Sequence, residues 1–224
     1  MKLTHCRLEN VLDFGEEHTL SLVMENGNDL YRFVYELLHQ IGGRDGEFSL
    51  YHRDKELNLE TSADILLSPF DMDVNSKKIQ NLILKKLQSY ATDDDHICEF
   101  QDISKRIAEY AKNLFAEIDL PIVLEPYGQE SLLKSITFSV QEDKSFIENL
   151  HNYISCVIEL SKVQLFVLIN FKQYMTDDDF ERICKLAWYD DIYILFIDSF
   201  ESSHITEKTI VVDFDKCEIV KVKK

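Results

Sequence analysis

The stretch "QLFVLINFKQYMTDDDFERICKLAWYDDIYILFID", residues 164–198, carries the reading of the fold. Its ends, 164–170 and 192–198, are apolar runs of strand length. Between them Thr176 precedes three aspartates, which predicts a capped helix over 177–188. Negative charge in that first turn suits the positive end of the helix dipole. Two strands that are apolar throughout, joined by a helix, read as parallel neighbours buried on both faces.

Outward from this block the pattern repeats. A helix predicted over 143–161 carries Phe146, Leu150, Ile154, Val157 and Ile158 on one side. Strands are expected at 2–8, 18–24, "EFSLY" and "ADILLS", the last ended by Pro69. Asn28 is read as the N-cap of a helix running to about Ile41, with Leu30, Phe33, Val34, Leu37, Leu38 and Ile41 on one face. "KTIVVDFDKCEIVKV" closes the chain as a β-hairpin turning at "DFDK". These alternating helices and strands define an α/β fold with a parallel sheet.

A helical stretch interrupts it. Ile79, Leu82, Ile83 and Leu87 form a stripe on a helix predicted over 76–89. "ATDDDH" reads as an acidic loop. Ile103, Ile107, Tyr110, Ala111, Leu114 and Phe115 then repeat at helical spacing over 98–118, and Pro121 stops that helix. A short helix followed by the strand "ITFSV" is expected over 129–140. The organisation is therefore 1–69 and 136–224 as two parts of one α/β domain, with 70–135 as a helical extension.

Composition sets further limits. The chain has 224 residues, 45% hydrophobic, with a formal net charge of −17. Such acidity argues against a broad nucleic-acid surface but leaves room for a local basic patch. Five scattered cysteines with no CxxC pair suit reduced, packed thiols in a cytoplasmic protein. The first twenty residues hold charges throughout, so no signal peptide is expected. The apolar runs are too short to span a bilayer, and no membrane partner is expected.

Several motifs suggest chemistry and then fail a requirement. The loop after strand 18–24 reads "MENGND", with one glycine and no GK[ST], so it lacks a phosphate loop. "ILFIDSFE" resembles a strand ending in a magnesium-holding aspartate, Asp198, but without that loop it reads as a strand end. Asp213, Asp215, Glu218 and Lys221 resemble a metal-nuclease set, yet Asp215 and Lys216 are ordinary turn residues. His96 and Cys98 have no second pair at zinc spacing. Asp71, Asp73 and Asn75 start like a calcium loop, but position 76 is Ser where Gly is needed and 82 is Leu where Glu is needed.

The same stretch, "SPFDMDVNSKKIQNLILKKL", residues 68–87, reads better as a helix start, with Asn75 or Ser76 as N-cap. Behind it Lys77, Lys78, Lys85 and Lys86 cluster, with no acidic residue from 74 to 92. Such a stripe is ordinarily a solvated helix face. In a chain this acidic the segregation also fits contact with phosphate.

The Asp73-Val74-Asn75-Ser76 block with its strand and helix resembles the spacer-acquisition protein of type II-A CRISPR systems, the Csn-two family. "QLFVLINFKQYMTDDDFERICKLAWYDDIYILFID" and "IVVDFDKCEIVKVKK" are similar to that family's later blocks, and the chain is identified as a divergent member. The resemblance implies a head like a P-loop ATPase without its nucleotide motif and a noncatalytic role in capturing new spacers for antiviral defence. It further implies a homotetrameric ring stabilised by calcium, and double-stranded DNA, engaged through free ends, in a lysine-lined channel. The CRISPR integrase and effector nuclease are the implied protein partners. Glu117, Asp119 and Glu125 are the positions that match the family's calcium-binding segment. The alternatives are an adaptor that docks the integrase without touching DNA, or a metal-dependent nuclease or ATPase.

Overall fold

The computed structural model describes residues 1–141, 145–201 and 208–222. Its chain divides into two compact units, one formed by 1–74 with 142–224 and the other by 75–141.

The first unit holds two sheets. A small antiparallel sheet comprises β1 (Lys2–His5), β2 (Leu12–Asp13), β4 (Phe48–His52) and β5 (Lys55–Leu57), in the order β2-β1-β4-β5. The larger sheet holds β3 (Thr19–Met24), β6 (Ala63–Leu66), β7 (Leu165–Ile169), β8 (Tyr193–Asp198), β9 (Lys208–Val212) and β10 (Glu218–Val222). Its order is β10-β9-β3-β8-β7-β6, and every pairing is parallel except the closing β9–β10 hairpin. Strands β7 and β8 are buried along their whole length, as continuous apolar runs in a covered parallel sheet must be. Their register sets Leu165 against Tyr193 and Ile169 against Ile197.

Helix α1 (Gly27–Ile41) packs Phe33 and Leu37 into a core shared with Leu3, Leu50, Leu22 and Leu195 from both sheets. Its cap is Asn26, not Asn28: the Asn26 side chain accepts from the Asn28 and Asp29 N–H groups at 3.0 and 3.4 Å. The one-turn α2 (Leu59–Ser62) leads into β6. In the second unit lie α3 (Lys77–Tyr90), α4 (Asp94–Phe115) and α5 (Gln129–Ser135). Back in the first unit, α6 (Phe146–Leu160) precedes β7 and α7 (Asp177–Tyr189) joins β7 to β8. A capping box starts α7, with Thr176 and Asp179 bonding each other's backbone N–H.

Three local expectations are corrected. The acidic "ATDDDH" is not a loop, because Asp93 caps α4 by accepting the His96 N–H at 2.9 Å while Asp94 and Asp95 occupy the first turn. "ITFSV" forms no strand, since no neighbouring edge pairs with it. Cys6, Cys98 and Cys217 are exposed and unpaired, on a turn, a solvated helix start and a hairpin, so only Cys156 and Cys184 are partly packed. The "EDK" at 142–144 lies outside the described residues. No described helix is long and apolar enough to cross a membrane.

Candidate nucleic-acid interface

Helix α3 begins where Ser76 accepts the Ile79 N–H at 3.5 Å, so Ser76 is the N-cap. Asn75 has a different task. Its side-chain amide donates to the Val140 carbonyl at 3.0 Å and accepts the Val140 N–H at 2.7 Å. This two-point clasp joins the chain entering the second unit to the chain leaving it. At the far end of α3, the Gln129 side chain donates to the Ala91 carbonyl at 2.9 Å. A free carbonyl of the last turn is thereby satisfied. Ile79 is fully buried and α5 packs against α3, which fixes which way the helix faces.

At about 100° per residue, Lys77, Lys78 and Lys85 fall within an arc of about 100°. All three are exposed. Lys86 stands at the margin, half-buried, with its ammonium 5.6 Å from the centre of the Tyr90 ring. The four residues thus divide into three that present a face to solvent and one whose stem packs on an aromatic. Four cations lie on about 14 Å of helix axis, where duplex DNA carries about one phosphate per 1.7 Å.

Charge is unevenly shared between the units. Residues 75–141 hold eight Lys and Arg against ten Asp and Glu, net −2, so the remaining chain carries −15 of the total −17. The basic helix therefore belongs to the nearly neutral unit.

The carboxylates singled out for metals are otherwise placed. Glu117, Asp119 and Glu125 are exposed on the irregular chain after α4, and among the described residues no three His, Cys, Asp or Glu side chains converge as a metal site. Calcium requires six to eight oxygens, and these three residues do not fit it within one chain. In the closing hairpin, Asp213 accepts the Asp215 and Cys217 N–H groups at 2.9 and 2.8 Å. Glu218 accepts the Glu9 and Asn10 N–H groups, both at 2.7 Å, and Lys221 pairs with Glu201 at 2.7 Å. These groups hold a turn and a loop. His96 lies 3.6 Å from Asp93 and 3.5 Å from Glu99 along its own helix.

Sequence reasoning missed one buried cluster. Lys172, 3% exposed, donates to Ser21, lies 3.8 Å from Asp198 and sits over the rings of Phe180 and Phe196 at 5.5 and 5.2 Å. Burial lowers the Lys172 pKa, and the adjacent Asp198 carboxylate works against that shift. Asp198 is thus an ion-pair partner inside the unit. The lysine just after an all-apolar strand, in "INFKQY", was the available signal.

A parallel α/β unit whose first crossover loop lacks phosphate-binding residues, joined to a helical unit with one basic helix, defines a class of α/β proteins without the nucleotide motif. The model of the CRISPR-associated protein (Cas_Csn2) family matches residues 40–216, and the chain belongs to that family. The solved structure of Stu0660 of Streptococcus thermophilus is similar in fold, with a TM-score of 0.61 at 14% identity over 99% of this chain and 76% of that one. No curated protein matches.

Proposed function

We propose that this CRISPR-associated protein is a noncatalytic, double-stranded DNA-binding protein of spacer acquisition, with Lys77, Lys78 and Lys85 on phosphate and Lys86 as their packed neighbour. The observation that carries this reading is the segregation of those lysines on an exposed helix face within the unit that holds only −2 of the net charge. Such contacts are independent of sequence and weaken with salt. Four lysines on one copy neutralise few phosphates, so the reading includes a ring of copies, a homotetramer, around the duplex. Support for assembly comes from α4, whose 22 residues include no buried side chain. Its Ile103, Tyr110 and Leu114 are 44, 67 and 52% exposed, an apolar stripe of the kind a further copy covers. The five mutually parallel strands, with β3 followed by "MENGND" and α1, support descent from a nucleotide-binding fold that no longer binds phosphate there. The CRISPR integrase and effector nuclease are the protein partners in this reading, within the cytoplasm.

A gel shift with linear and closed circular duplex at low salt tests it. Linear DNA is shifted, and Lys78→Glu with Lys85→Glu abolishes the shift while gel filtration still gives the tetramer. An unaltered chain that shifts no DNA would transfer the role to an adaptor that docks the integrase without DNA, and a shift that survives both changes would move the DNA contact off this helix face.

A further inference from the structure

Tyr193, buried at the first residue of β8, joins the large sheet to the small one through its ring. Three rings surround it. Phe14 meets it edge to face at 5.6 Å, and His18 stacks on it at 4.5 Å. His52, the last residue of β4, meets it edge to face at 5.8 Å. Two of these neighbours are imidazoles, side chains that change charge within the ordinary range of pH.

The two imidazoles are provided for differently. The Nδ1 of His18 lies 3.0 Å from the Ile192 carbonyl and its Nε2 3.8 Å from the Asp191 carboxylate. A charged His18 therefore has an oxygen on each side. The Nδ1 of His52 is buried and, among the described residues, has no hydrogen-bond partner. A neutral ring can leave that nitrogen without a proton. A charged ring cannot, and it then buries a donor with no acceptor. The charged groups facing His52 are the Met1 ammonium, Arg53, Asp191 and His18. Only Asp191 is negative, and its side chain is 65% exposed beside His18. Burial lowers the His52 pKa, the ammonium, Arg53 and His18 add to that shift, and Asp191 opposes it.

The element best able to yield is the hairpin that carries His52. Its turn residues, Arg53 and Asp54, are both left-handed at φ 47 and 61°, as a two-residue hairpin turn requires. Strand β5 is the edge of the small sheet, pairs with β4 alone and buries none of its three residues. Such an element opens without the rest of the unit.

We propose that the β4–β5 hairpin is an acid-sensitive latch, in which a proton on His52 releases the hairpin tip from Tyr193 while the large sheet stays folded. The opened hairpin takes up this proton at about pH 6.5 and the closed one only at lower pH. Closure is therefore at full strength above about pH 6.5 and is lost as pH falls through the folded value. Within that window the opening equilibrium rises by up to about tenfold per pH unit.

Hydrogen exchange of the full chain at about pH 7.5 and about pH 5, corrected for intrinsic rates, tests the latch. Protection over residues 51–57 falls about tenfold at the lower pH, while β7 keeps its protection. His52→Phe keeps a ring against Tyr193 and abolishes the fall. His151→Gln, at an exposed position of α6, leaves it unchanged. In the unaltered chain the His52 ring protons, followed by NMR, titrate below about pH 6.5. The proposal is overturned by protection over 51–57 that does not fall, by the same fall in His52→Phe, by an equal fall in β7, or by a His52 midpoint at or above about 6.5.

Discussion

Replacing Asp198 by Asn isolates a buried charge. The Lys172 ammonium, 3.8 Å from the carboxylate, is shielded from water, with side-chain exposures of 3 and 5% for the pair. At an effective dielectric of about 20, that separation corresponds to an attraction of about 4 kcal/mol. Breaking buried pairs by removing one partner costs about 3–5 kcal/mol, so a loss of about 3 kcal/mol is expected. For a chain of this size that lowers the melting temperature by roughly 6–12 °C. Ser21 and the two phenyl rings still face the ammonium, but none carries a compensating full charge. The dependence on pH has a definite sign. Burial already lowers the Lys172 pKa in the folded chain, so the unfolded chain binds more protons between the folded value and about 10.4. Stability from this group therefore rises with pH, and in the variant the effect begins at lower pH because the carboxylate is gone. Urea denaturation from pH 7 to 10 should show the deficit shrinking toward the alkaline end. Lys172→Met with Asp198→Asn should recover most of the loss, since an apolar replacement of a buried pair is often neutral or better. A single variant within about 0.5 kcal/mol of the parent, or a double variant as unstable as the single, would refute the reasoning.

Tyr153 donates to Asp64 at 2.8 Å in the core, and burial with that carboxylate pushes the Tyr153 pKa up. Tyr153→Phe leaves the carboxylate short of a donor and should cost about 1–3 kcal/mol in denaturant titration. Thr176→Ala removes the α7 capping box and should cost about 1 kcal/mol at pH 7. The bond from Thr176 holds the Asp179 pKa below its ordinary value, so that contribution is present above about pH 3.9 and is lost as pH falls through the folded value. Replacing exposed Glu117, Asp119 and Glu125 together by Ala should leave the chemical midpoint within surface-substitution limits, as read by urea titration without calcium.

The parallel strands were legible because a strand buried on both faces writes an unbroken apolar run, as 165–169 and 193–198 do. Thr176 with three aspartates signalled α7 for an equally local reason. Pairings remote in sequence were not legible. Asn75 looked like a helix cap because its partner Val140 is 65 positions away, and Lys172 finds Asp198 across a strand and helix. Strands β2 and β5, of two and three residues, are too short for any periodicity and exist through their pairing with β1 and β4. At the candidate interface, spacing gave the lysine face, whereas the separation of Lys86 from its companions needed the position of the Tyr90 ring.

The Asn75 clasp bears on how the chain reaches this fold. Strands β6 and β7 pair although roughly 100 residues separate them. Closing so long a connection at random costs about 1 kcal/mol more than closing an ordinary crossover of about 25 residues. Once Asn75 grips Val140, residues 75–140 no longer count as free chain, and the effective connection shrinks to roughly 30 residues. Early folding of the second unit would then serve as a chaperone for the sheet of the first. One short asparagine side chain lowers the effective contact order of the central parallel pairing and with it the barrier to folding.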